Sequence, residues 1–340
     1  MKNILCLILL SGFAIKSYGQ FPVQVDSFYT FIKYNSILRN TVDWKLVDEQ
    51  FAIKLKNAQS LKDTMQCFVS VLESLDDVHS QIYLDNQYFG HYPAFNDSTL
   101  MKIKPINDTA ILLTNKIKTA LLLDKVAYVR VPSCQVYNNE EINAFAQSLY
   151  DSIQAFASQK VTGFIIDLRL NGGGNIYPML SGLSSILGDR VVAYETDIDD
   201  NIVRQWEIKN GNFVIGAYQA TQISIHSEIN FQKKPAVVLI GPVTKSSGSM
   251  TAIAFKGRQH TFFIGEPTAD GYTTSNGYYQ FAPNLLLNFA TNFVADRNKI
   301  VYKSSVNPDM VINSGDNFEN LLDDKKIQAA IQWLSEKKRR

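Results

Sequence analysis

The sequence predicts an α/β protein whose body is preceded by a small helical segment. Two observations predict it. Between residues 126 and 257, short apolar strands alternate with helical stretches, and the strands are apolar almost throughout. Continuously apolar strands belong to a sheet covered on both faces. Ahead of them, residues 23–77 carry helical periodicity alone.

The elements follow in chain order. Lys2, an apolar run over 4–14 and small residues at Ser17 and Gly19 follow the plan of a secretory signal. The run falls short of the roughly 20 residues of a membrane span, and Lys16 closes it. Residues 1–19 are therefore expected to be a signal peptide cleaved near Gly19, leaving an exported, soluble chain rather than an integral membrane protein. Residues 20–79 are expected to form an N-terminal helical domain. Trp44, Val47, Phe51 and Leu55 mark one of its helices, and Leu61, Met65, Phe68, Leu72 and Leu75 mark the next. Residues 80–340 are expected to form the α/β domain. In it 111–113, 127–131 and 164–166 read as strands, and 139–158 and 176–187 as helices. Pro235 opens a strand over 236–240, a serine-rich turn follows, and a helix is expected near 248–257. Strand patterns run over 261–312. The last helix, 321–334, sets Ile327, Ile331 and Leu334 on one face, and the basic tail 337–340 complements its C-terminal dipole.

Composition excludes several function classes. Lys plus Arg number 33 against 32 for Asp plus Glu, a net charge of +1 that leaves no basic footprint for nucleic acid. Three cysteines in 340 residues exclude a disulfide scaffold. Cys67 and Cys134, the two beyond the signal segment, read as small buried hydrophobes. Of the four histidines, none stands at metal-ligand spacing from another, so neither a metal nor a cofactor is expected.

Three stretches carry possible chemistry. Asp167-Leu168-Arg169-Leu170-Asn171-Gly172-Gly173-Gly174 ends a buried strand in a glycine loop ahead of a helix. Such glycines open backbone N–H groups to a close neighbour. A dinucleotide fingerprint would need a third glycine where Tyr177 stands, and a Gly-Lys-Ser/Thr phosphate loop is absent. An oxyanion hole or a plain tight turn fits better. Thr244-Lys245-Ser246-Ser247-Gly248-Ser249 joins a strand to a helix. A serine there either caps the helix or exposes its hydroxyl as a nucleophile does, although Gly-x-Ser-x-Gly is absent. Asp76-Asp77-Val78-His79-Ser80 supplies a histidine, whose ordinary pKa suits activation of a hydroxyl. His91, His226 and His260 stand in no comparable motif.

In order and spacing, these stretches together with Gly265-Glu266-Pro267-Thr268 and Val306-Asn307-Pro308-Asp309 resemble the tail-specific (C-terminal processing) serine peptidase family over residues 75–312. The piece Leu75-Asp76-Asp77-Val78-His79-Ser80 is similar to the histidine branch, related to the tricorn core and the interphotoreceptor retinoid-binding protein. The resemblance implies a crotonase-like α/β body behind a helical bundle. It also implies hydrolysis of peptides or protein C-termini by acyl transfer. Ser246 matches the nucleophile and His79 the general base. The N–H groups of Gly173 and Ser247 match the oxyanion hole, with Asn171, Gly172 and Gly174 as the substrate-binding loop.

The chain departs from the family pattern in places. Gly271 stands where the lysine-dyad branch keeps its lysine, and Ser249 where a glutamate is usual. Tyr302-Lys303-Ser304-Ser305 offers no glutamate ahead of Val306. The third triad member is unassigned, with Asp77, Glu266 and Asp270 as candidates. Residues 81–125 are too few for the PDZ domain that many relatives carry. Two functions stay open: an exported peptidase, and a catalytically impaired relative that binds a peptide or an apolar ligand.

Overall fold

The described residues open with three α-helices that each bury one apolar stripe. In the computed structural model, which describes residues 25–85, 87–92, 96–227 and 229–337, these are α1 (Val25–Asn35), α2 (Trp44–Asn57) and α3 (Leu61–Ser74). The expected signal segment, 1–19, and the end of the basic tail, 338–340, lie outside the described residues. Asp43 and Ser60 cap α2 and α3 by accepting the N–H groups of Lys45 and Asp63. Phe28, Ile32, Phe51, Phe68 and Leu72 share one core with Ile82, Leu287 and Phe289 of the sheet that follows.

That sheet is antiparallel throughout. The hairpin β1 (Gln81–Leu84) and β2 (Gln87–Gly90) leads to α4 (Asp97–Leu112), β3 (Lys118–Leu122) and β4 (Val126–Arg130). Next come α5 (Asn139–Gln154), β5 (Gly163–Asp167), α6 (Ile176–Gly182) and α7 (Ser184–Leu187). A meander follows: β6 (Arg190–Thr196), β7 (Ile202–Lys209), β8 (Asn212–Ile215) and β9 (Tyr218–Gln219). The chain then forms β10 (Ala236–Ile240), α8 (Ser247–Phe255), β11 (Thr261–Gly265), β12 (Thr274–Ala282) and β13 (Leu285–Asp296). It closes with β14 (Val301–Tyr302), β15 (Met310–Val311) and α9 (Lys325–Lys337). The antiparallel sheet runs β2-β1-β13-β6-β7-β8-β9, with β12 and β14 also paired to β13.

The second sheet, ordered β15-β11-β10-β5-β4-β3, is parallel except at its β3 edge. Strands β4, β5 and β10 are buried at every position, as continuous apolar runs require. Alternate residues serve opposite faces. Phe164, Ile166 and Val238 pack with Phe145, Leu149, Leu180 and Ile253 of α5, α6 and α8. Ile165, Val237 and Leu239 pack with Ile327, Ala330 and Leu334 of α9. The carboxyl ends of the neighbouring strands β5 and β10 carry the glycine loop and the serine turn. Crevices at such ends are where open α/β sheets bind ligands.

Three elements differ from expectation. Residues 111–113 are not a strand: Ile111 and Leu112 end α4 and are 64% and 71% exposed. Asn96 caps this helix at Thr99 N–H. Its buried stripe is Ile103, Ile106, Ala110 and Leu113, a 3-4-3 spacing packed against Leu170 and Val243, and Pro105 inside the helix obscures that pattern. Residues 176–187 are two short helices that meet at Leu183. The last helix starts at Lys325, because the Asp324 carboxylate caps it by accepting the N–H groups of Lys326 and Ile327.

Candidate active site

Ser246 lies at the end of the turn that leaves β10. Thr244 laces this turn to the glycine loop: its Oγ1 donates to the Leu168 carbonyl (2.8 Å) and accepts Gly241 N–H (3.0 Å). Lys245 N–H donates to the Asn171 carbonyl at 3.1 Å. Ser246 itself has φ 53° and ψ −127°, a left-handed conformation that costs a non-glycine residue energy and collects at functional sites. It occupies the position before α8, yet its hydroxyl caps nothing. Its Oγ lies 2.8 Å from His79 Nε2 instead. A strained strand-to-helix turn that lifts a serine hydroxyl away from its own helix is the geometry of a nucleophile elbow.

His79 sits between α3 and β1, in a loop fixed by Asp77. The Asp77 Oδ1 accepts the N–H groups of His79 (3.1 Å) and Ser80 (2.9 Å), and its Oδ2 accepts the Ser80 hydroxyl (2.6 Å). Ser80 Oγ in turn accepts Ala290 N–H from β13 at 2.9 Å. The imidazole is buried against the edge of the Tyr272 ring, 5.1 Å between centroids. Its Nδ1 lies 2.7 Å from Thr274 Oγ1. Burial, with the positive charge of Lys245 adding to it, lowers the His79 pKa to about 3. The ring is therefore neutral near neutral pH, with one nitrogen available as a base.

The glycine loop faces the same serine. A Cβ on Gly173 would stand 2.7 Å from Ser246 Cβ, and its φ is +104°, so only glycine fits there. Its N–H, expected as an oxyanion donor, is used by Asn171 Oδ1 at 3.0 Å. Gly172 N–H is likewise used, by Ser133 Oγ at 2.8 Å. Asn171, expected to touch substrate, is fully buried, and its amide donates to the Val131 carbonyl at 3.2 Å. Its side chain braces the loop. Gly174 lines the cleft beside Ser246 and Ser247, and its carbonyl accepts the Ser247 hydroxyl at 2.6 Å. Among the described residues, the N–H groups of Gly174 and Ser247 have no acceptor within the chain.

None of the three carboxylates proposed as a triad partner bonds the His79 ring. Asp77 holds the backbone, Glu266 pairs with Lys102 and Lys326, and Asp270 bonds Ser304 and Gly271 N–H. Thr274 occupies that position, and sequence reasoning missed it. The signal was a polar run, Thr273-Thr274-Ser275-Asn276, at the start of a strand, with Thr274 3% exposed. A lysine at Gly271 would have no room: a Cβ there meets Val78 Cγ2 at 2.5 Å.

Other motif residues hold the frame. Arg169 binds Asp167 through Nε (2.9 Å) and Nη2 (2.6 Å), and reaches Asp316 and Asp324, each at 2.7 Å. Thr268 Oγ1 accepts Val306 N–H, and Asp309 Oδ2 accepts Phe263 N–H. Cys67 and Cys134 are both free and buried.

The pair opens into a cleft of about 420 Å³, lined by Tyr137, Tyr177, Trp206 and Tyr278 beside His79 and Ser246. Among the lining residues, buried Glu195 accepts Ser275 Oγ (2.8 Å) and Trp206 Nε1 (3.1 Å) and pairs with Arg204 (2.7 Å). Among the described residues no His, Cys, Asp or Glu cluster could hold a metal ion, and no helix is long and apolar enough to cross a membrane. The arrangement provides a hydroxyl, a neutral base and unpaired N–H donors around one space, the parts needed for acyl transfer.

Known proteins share the frame. The nisin-resistance protein of Lactococcus lactis subsp. lactis is 31% identical over 198 residues, which span 58% of this chain and 56% of that protein. A solved structure of a lipoprotein from Streptococcus agalactiae superposes with a TM-score of 0.66 at 21% identity, covering 95% of this chain and 100% of its own. A Parabacteroides merdae protein described as a candidate peptidase gives 0.58 at 16% identity, over 93% of this chain and 97% of its own. At these identities the two structures establish a shared fold. The model of peptidase family S41 matches residues 125–312, and the chain belongs to that family.

Proposed function

We propose that this chain is an exported serine peptidase that cleaves peptides or protein C-termini, with Ser246 as nucleophile and His79 as general base on a crotonase-like frame. The 2.8 Å contact between Ser246 Oγ and His79 Nε2, at a serine in a strained turn, carries this conclusion. The Ser246 proton passes to Nε2 as Oγ attacks the scissile carbonyl. The oxyanion is received by Ser247 N–H, with Gly174 N–H as the second donor. His79 then protonates the leaving amine, and water, deprotonated by the same nitrogen, releases the acyl group. Export rests on the signal pattern in residues 1–19. The rival reading, a ligand-binding relative, leaves the Ser246–His79 pair without a task.

The test is hydrolysis followed by mass spectrometry. An unstructured polypeptide serves as general substrate, and nisin is included because a relative is named for resistance to it. Wild type is expected to cleave, and Ser246→Ala and His79→Ala to lose most turnover. Equal cleavage by wild type and Ser246→Ala overturns the reading.

A further inference from the structure

A carboxylate that orients a catalytic histidine fixes which ring nitrogen carries the proton. Here a hydroxyl stands in that place, and a hydroxyl can donate or accept. The contact between Thr274 Oγ1 and His79 Nδ1 therefore leaves the proton direction open when taken alone. Asn276 removes the ambiguity. Its Nδ2 donates to the His79 carbonyl at 3.1 Å, and a carbonyl only accepts. Its Oδ1 then lies on the other side, 3.0 Å from Thr274 Oγ1. A flipped amide would set two acceptors, Oδ1 and the carbonyl, against each other. Since Oδ1 only accepts, Thr274 gives its single proton to Asn276. Thr274 can then only accept from His79, so Nδ1 carries the ring hydrogen and Nε2 holds the lone pair that faces Ser246.

We propose that Thr274 and Asn276 are positioning residues that lock His79 in the Nδ1–H tautomer and aim Nε2 at Ser246, without a carboxylate. The proposal rests on the Ser246–His79 reading for its catalytic consequence, while the tautomer itself does not depend on turnover. The circuit closes on itself: His79 Nδ1–H to Thr274, Thr274 O–H to Asn276, Asn276 N–H to the His79 carbonyl. The register of β12 on β13 shifts between Ser275 and Asn276, and such bulges re-aim side chains beside active sites. When Ser246 attacks, its proton goes to Nε2, and Nδ1 keeps its own hydrogen on Thr274. The groups around the ring are Lys245 from the turn before α8, Tyr272 from the segment before β12, and Asp77 from the ring's own loop. None of them supplies an anion to Nδ1, so the circuit orients the ring without stabilising its charged form.

The experiment reads the His79 ring by ¹⁵N NMR in the full chain, alongside kinetics. Wild type is expected to show the neutral Nδ1–H tautomer at pH 7. Thr274→Val removes the acceptor. It is expected to populate the Nε2–H form and to lower kcat by at least about 10-fold, toward the roughly 10⁴ of a wrong-tautomer histidine, with KM little changed. Thr274→Ser restores the hydroxyl and is expected to restore both readouts. Asn276→Asp keeps an acceptor for Thr274 but adds an anion, and is expected to move the acid limb of kcat/KM upward. An Nε2–H tautomer in wild type overturns the proposal. So does Thr274→Val with tautomer and kcat unchanged. Wild type in the Nδ1–H form with no hydrolysis supports the tautomer lock and overturns the peptidase reading instead.

Discussion

Ser246 Oγ and His79 Nε2 lie 2.8 Å apart although the two residues are 167 positions apart in sequence. One arrives from the parallel sheet and the other from the loop that joins the helical segment to the antiparallel sheet. The pair therefore exists only where the two sheets meet, and everything that fixes that meeting bears on it.

Acidity comes first. Burial, followed by the Lys245 charge, holds the His79 pKa near 3 against an ordinary 6.5. The free protein then keeps His79 neutral, so kcat/KM for the proposed hydrolysis is expected to be flat from about pH 8 to about pH 5. Stability follows with a definite sign. The unfolded chain takes up the His79 proton near 6.5 and the folded chain near 3. Between those values the unfolded state binds more protons, so His79 contributes a loss of stability as pH falls through that window. His79→Gln is expected to flatten this slope in denaturant titrations. A kcat/KM inflection at an ordinary histidine value contradicts the buried, carboxylate-free site.

Gly173→Ala places a methyl 2.7 Å from Ser246 Cβ at a φ of +104°. Either the serine or the loop must move. Either movement displaces the Ser246 hydroxyl or the neighbouring Gly174 N–H, and since misplacing a single oxyanion donor costs about 10²–10³ in kcat, a loss of at least that order is expected. Steady-state kinetics checks it, and wild-type turnover would show that the loop does not frame the reacting atoms.

Arg169 is a buried hub whose guanidinium faces Asp167, Asp316 and Asp324. Arg169→Met leaves those carboxylates without their cation, so a destabilisation of about 3–5 kcal/mol is expected. Arg169→Lys is not conservative here, because Asp167 is bound at two points. Urea midpoints measure both, and a near-neutral Arg169→Met would contradict the structural role.

Cys134 is buried, and burial pushes its thiol up to about 12. Cys67 is buried in α3 and also raised. Alkylating agents at neutral pH are expected to leave Cys134 unmodified in the folded protein, and reductant to leave Tm unchanged. A fall in Tm on reduction would mean that a disulfide contributes.

Much of this was legible in the sequence because it rests on local pattern. The stripes of α2 and α3, the apolar strands β4, β5 and β10 and the turn before α8 follow from residue spacing alone. The motif residues Ser246 and His79 lie together in the structure. What escaped was set by tertiary context. Helix α4 hid behind Pro105 and an exposed apolar pair, Ile111 and Leu112. The ring's partner escaped because such a ring is ordinarily oriented by a carboxylate, and Thr274 is an ordinary strand residue until folding brings it to His79. The N–H of Gly173 is spent locally by Asn171, a bond that spacing does not reveal.

The central claim is that Ser246 is a nucleophile activated by His79. Labelling with an active-site-directed fluorophosphonate, read by intact mass and peptide mapping, tests it most directly. Wild type is expected to carry a single adduct on Ser246, Ser246→Ala none, and His79→Ala to label at least about 100-fold more slowly. An adduct elsewhere, or equal labelling of wild type and Ser246→Ala, would contradict the claim.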